Sequence, residues 1–132
     1  MAEDTMDPGM RFELLAASLR ADAGDTLAFT EALANKLAGA LPHRVRVERG
    51  GGLFSHARSI RRVAVNLGEW EYTLTHGPSG EVDTYRTHTV RGVTLKSEPL
   101  GLDEWIGALG DELAALAQRS AQDHAALRQL LE

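Results

Sequence analysis

The residues best suited to chemistry lie in one stretch, Arg49-Gly50-Gly51-Gly52-Leu53-Phe54-Ser55-His56-Ala57-Arg58, followed closely by Arg61-Arg62. Three consecutive glycines let a backbone approach an anion, and Arg58, Arg61 and Arg62 could clamp a phosphate. Arg44 and Arg46, just upstream, extend the same positive run. The stretch lacks the Gly-x-x-x-x-Gly-Lys-Ser/Thr pattern, because it has no Lys and no second Gly at that spacing. It also lies between two expected strands, so no helix N-terminus would face a ligand. The plainer reading is a hairpin connection with solvated arginines. Leu53 and Phe54 could form a docking tip for a partner or a membrane surface, but such a pair more often folds back as a lid. The set Arg44, Arg46, Leu53, Phe54, His56, Arg58, Arg61 and Arg62 is therefore the expected contact surface for a partner or an anion.

No catalytic, cofactor or metal set is expected. The five histidines, His43, His56, His76, His88 and His124, show no ligand spacing. Ser55-His56 is adjacency: neighbours on an extended segment point opposite ways and cannot share a hydrogen bond. No Gly-x-Ser-x-Gly elbow occurs. Glu69, Glu71, Glu81 and Asp83 fall at turns or on an expected wet face, where a carboxylate is simply solvated. Trp70 and Trp105 fit apolar stripes and read as core anchors, which leaves no base-stacking surface.

The 132 residues are 43% apolar and 25% charged, values of an ordinary globular domain. With no cysteine there is neither a disulfide nor a thiolate nucleophile, which suits a reducing compartment. The start, Met1 to Gly9, is acidic and lacks the basic and apolar regions of a secretion signal. It reads as a flexible tail before a domain over residues 10–132, and the expected location is the cytoplasm. Net charge is -5, yet residues 43–62 carry six arginines against Glu48 alone. Overall acidity argues against a general nucleic-acid binder, and membrane contact would be at most peripheral, while the local cluster keeps a specific anionic partner in view.

Several elements must position these residues. Phe12, Leu15, Ala16 and Leu19 recur at helical spacing, predicting a helix over 10–21. Phe29, Leu33, Leu37 and Leu41 predict a second over 26–41, capped by Asp25 and ended by Pro42, so that the two form a helical hairpin. The period then changes to two. Val45 and Val47 mark a strand, as do Val63-Val65-Leu67 and Trp70-Tyr72-Leu74 around a two-residue Gly68-Glu69 turn. That register pairs Leu67 with Trp70, Val65 with Tyr72 and Val63 with Leu74. It puts all six on one core-facing side and leaves Arg62, Asn66, Glu71, Thr73 and Thr75 in water. Gly77 to Gly80 is a second turn, 82–89 reads as an exposed or edge strand, and Gly92 as a bulge before Val93 and Leu95. Ile106, Leu109, Leu113 and Leu116 predict a helix over 103–118. A break with Ser120-x-x-Asp123 capping spacing follows, then a short helix to about 131. Strands clustered between helical runs give an α+β fold with an N-terminal helical hairpin, an antiparallel sheet of four to five strands and a kinked or split C-terminal helix.

The segments Met10 to Arg20, Val90 to Lys96 and Asp103-Glu104-Trp105-Ile106 resemble a family of short bacterial proteins, over about residues 10–131. The resemblance implies a cytoplasmic bacterial protein that acts through partners. It carries no active-site motif and transfers no residue role. Three functions are in view. The first is a non-catalytic adaptor or protein-interaction module, with Leu127 and Leu130 packing either within the chain or across a homo-oligomer interface. The second is a protein or enzyme binding small anions through Gly50–Arg62. The third is a regulatory component of a membrane or envelope-stress complex.

Overall fold

The computed structural model describes residues 8–23, 26–50, 59–77, 79–119 and 128–131. Two helices, α1 (Pro8–Ala23) and α2 (Thr26–Ala40), precede five strands. These are β1 (Val45–Gly50), β2 (Ser59–Asn66), β3 (Trp70–His76), β4 (Val82–Val90) and β5 (Val93–Leu100), and α3 (Leu102–Arg119) follows them. The strands form one antiparallel meander in the order β1-β2-β3-β4-β5. The fold is thus α+β, with five strands. The expected Asp25 cap, the Ser120–Asp123 break and Leu127 lie outside the described residues. No helix among the described residues is long and apolar enough to cross a membrane.

Alternation of apolar residues sets the register as expected. Val63 pairs with Leu74 and Val65 with Tyr72, and the Leu67 amide donates to the Trp70 carbonyl at 2.9 Å. Gly68 takes φ 96° at the first central position of the turn, a conformation the missing Cβ permits. The inward side chains of β2 and β3 meet the helices. α2 covers β1 and β2, α3 covers β4 and β5, and α1 lies across α3 and, less extensively, α2. The N-terminal pair is therefore not an isolated hairpin, because α1 takes α3 as its main partner. Phe12, Leu33, Leu37, Ile60, Val65, Tyr72, Trp105, Leu109 and Leu113 form the centre of one buried cluster.

Leu130 belongs to that same cluster, and Gln129 Nε2 donates to the Gly39 carbonyl on α2. The C-terminal residues 128–131 thus close the chain's own core, and of the two expected roles Leu130 takes the intramolecular one. The polar 82–89 segment is also not an edge. It pairs on both sides, and β5 takes the outer place. Its Thr, Tyr, Arg and His side chains are long enough to half-bury, so polarity misleads about its position. Gly92 is a turn residue. With Arg91 at φ 53° and Gly92 at φ 80°, the two-residue β4–β5 loop has the left-handed pair that right-twisted strands accept. The bulge lies further on, where β5 carries Leu95 as an extra residue between Thr94↔Thr89 and Lys96↔His88.

The face of the sheet away from the helices departs from a uniformly wet surface. Ala64 and Thr73, paired at its centre, are 4% and 0% exposed, and the Thr73 hydroxyl has no hydrogen-bond partner among the described residues. Register places the longer Arg46, Arg62, Glu71 and Tyr85 around them.

Candidate functional site

Arg61 and Arg62 come together through an irregularity of the backbone. Glu48 pairs with Arg62 but Arg49 pairs with Ile60, so Arg61 is one residue too many on β2. The bulge keeps Ile60 fully buried while breaking the alternation after it. Gly50 completes the arrangement: a Cβ there would meet Arg61 Cδ at 1.7 Å, so the Arg61 stem lies where any other residue would have a side chain. Both arginines then border a cleft of about 410 Å³ lined also by Glu48, Arg49, Thr75, His76, Glu81 and Asp83. The row Glu48, Arg62, Thr75, Asp83 runs directly across β1 to β4.

The cleft mixes signs. Arg49 is held from behind by Glu31 of α2, at 3.0 and 3.1 Å. The Glu81 carboxylate accepts from the Ser79 amide at 3.0 Å, seated against Gly77 where a Cβ would overlap it. No carboxylate of the described residues lies within ion-pair reach of Arg61 or Arg62. Such a cleft can attract a small anion to its β2 wall. Among the described residues no three His, Asp or Glu side chains gather as metal ligands.

The expected contact surface divides on inspection. Arg61 and Arg62 share the cleft, and His76 lines it with them. Arg46 turns to Glu71 at 3.6 Å and Arg44 reaches the Asn66 carbonyl at 3.3 Å, so both serve other parts of the sheet. Leu53, Phe54, His56 and Arg58 lie outside the described residues.

A second constellation escaped the sequence reading. Arg86 of β4 donates through Nε to Glu98 of β5 and through Nη1 to the Tyr72 hydroxyl at 3.2 Å. Its guanidinium lies 4.2 Å from the centre of the Trp70 ring, which also stacks on His88 at 4.5 Å. His88 Nε2 is 3.2 Å from Glu69, and Lys96 Nζ is 3.1 Å from Glu98. Trp70 is thus partly buried, packed against the core cluster on one side and covered by polar groups on the other, while Trp105 is fully buried, as expected. The signal was available. Carrying the Leu74 register through the Gly77–Gly80 turn pairs Tyr72 with Arg86 and Trp70 with His88.

Chemically this cluster is closed. Burial raises the Tyr72 hydroxyl above its ordinary value, and the Arg86 hydrogen bond only partly opposes that, so the phenol stays protonated at neutral pH. The hydrogen bonds from Arg86 and then Lys96 lower the Glu98 carboxyl below its ordinary value. Every charge has a partner, which makes the cluster a strut between β3, β4 and β5.

No family model, curated protein or solved structure matches this chain. Its function must come from its own surfaces.

Glu98 has a measurable consequence. Because its folded value is depressed, its contribution to stability is present above the unfolded value near 4.5 and is lost as pH falls through the lower folded value. Thermal midpoints measured downward from pH 5 should fall in the wild type, and the fall should be shallower in Glu98→Gln. Parallel curves for the two proteins would show that the Arg86–Glu98 pair contributes nothing.

Proposed function

We propose that this chain is a non-catalytic protein-interaction module, and that the outward side of α1 is its docking surface. The observation that carries this is the exposure of Met10 (49%) and Leu14 (54%) on a helix whose opposite side is fully packed. Phe12 and Ala16, both 0% exposed, face α2 and α3, while Met10, Leu14, Ala17 and Ala21 step by four, three and four along the solvent side. A helix apolar on two opposite sides gains nothing from its outer stripe until something covers it.

Capture from native cells with the tagged protein tests the proposal. Stoichiometric partner should be lost with Leu14→Lys and kept with Arg61→Glu/Arg62→Glu. The reverse pattern would move docking to the cleft and remove α1 from the reading.

A second reading, the binding of a small anion, is favoured by the bulge that gathers Arg61 and Arg62 on one wall of the cleft, neither of them ion-paired among the described residues. Inorganic pyrophosphate should then raise the melting midpoint of the wild type and leave Arg61→Ala/Arg62→Ala unmoved. Equal midpoints with and without the anion would remove this reading.

A further inference from the structure

The outer stripe of α1 is uneven along its length, and that unevenness selects a partner. Its N-terminal half carries the bulky Met10 and Leu14, and its C-terminal half the small Ala17 and Ala21. Laid antiparallel on a copy of itself, the stripe sets Met10 against Ala21 and Leu14 against Ala17, twice over. Each large side chain then meets a gap where the two backbones can approach to about 8 Å. Parallel pairing would set bulk against bulk and leave the small residues facing a void.

The charges agree. Glu13 and Arg20 flank the stripe on the same side, the side toward α3. Glu13 is exposed and its carboxylate lies near Gly107. Arg20 contacts Asp103 of α3 and lies over the Phe29 ring at 5.9 Å. In the antiparallel arrangement Glu13 of each copy comes opposite Arg20 of the other, giving two related ion pairs at the rim.

We propose that the partner of α1 is α1 of a second copy, docked antiparallel about a two-fold axis between Leu14 and Ala17. This rests on the interaction reading above and names its occupant. One helix pair lies at the small end of specific interfaces, below roughly 1,200 Å², so the dimer is a concentration-dependent equilibrium.

The chain has no cysteine, so introduced thiols report the geometry cleanly. Positions 10 and 21 are about 16 Å apart along one helix and cannot join within a copy. The full-length double variant Met10→Cys/Ala21→Cys should oxidise to a covalent dimer, and Met10→Cys alone should not. Sedimentation velocity from about 10 μM to 1 mM should show the wild type passing from monomer to dimer, with Leu14→Lys raising the dissociation constant about tenfold or more. Met10→Cys cross-linking as readily as the double variant would overturn the antiparallel geometry. A wild type that stays monomeric throughout, with the double variant uncrosslinked, overturns self-pairing. Leu14→Lys melting near the wild-type midpoint shows that a loss of dimer is not a loss of fold. If the wild type stays monomeric yet captures a different protein that Leu14→Lys loses, self-pairing fails and the interaction module stands.

Discussion

Trp105→Ala should be among the most damaging single substitutions in the protein. The indole is fully buried between α3 and the sheet, edge-on to Tyr72 with ring centres 6.3 Å apart, and its Nε1 donates to the Tyr85 carbonyl at 3.1 Å. Truncation removes the apolar contact, opens a cavity under Tyr72 and leaves a carbonyl without that donor. Losses of this kind cost about 3–5 kcal/mol. For a domain of this size that is a fall in melting midpoint of about 10–20 °C. Trp105→Phe should fall much less, because it keeps most of the ring and loses mainly the hydrogen bond. Differential scanning calorimetry on both variants checks the order. If the two fall equally, the hydrogen bond matters and the packing does not, contrary to the burial.

Arg86→Ala is expected to follow, at about 2–3 kcal/mol, because it strands the hydroxyl of fully buried Tyr72 and takes the guanidinium from Glu98. The decisive comparison is a double-mutant cycle. Tyr72→Phe removes the stranded hydroxyl, so Tyr72→Phe/Arg86→Ala should be less destabilised than the sum of the two single changes. Chemical denaturation supplies the four free energies. Strict additivity would mean that Arg86 and Tyr72 do not depend on each other, and the strut described above would lose its centre.

Much of this architecture was legible in the chain. The β2–β3 register followed from two runs of alternating apolar residues, because a one-residue slip would turn one strand's three apolar side chains away from the other's. The helices followed from stripes at helical spacing. What failed did so for a physical reason in each case. β4 alternates Thr84, Arg86 and His88 on its inward side, and these read as solvent-facing until Tyr72, Trp70 and Glu98 are known to satisfy them. The place of Leu130 stayed open because two leucines near a chain's end do not say which apolar surface they meet. The gathering of Arg61 and Arg62 depends on a bulge, and a single extra residue in a strand has no composition of its own. The outer stripe of α1 went unremarked because its Ala17 and Ala21 are small, and a stripe half made of alanine is hard to separate from ordinary helix composition.

The docking of α1 on α3 also orders events during synthesis. Phe12 and Trp105 are separated by nearly the whole sheet in the chain, so at about 5–20 residues per second α1 leaves the ribosome roughly 5–20 s before the surface that buries it. The meander needs only near neighbours in sequence and can zip as it emerges. For that interval α1 has only α2 to lean on, and its main seat is made after the whole sheet.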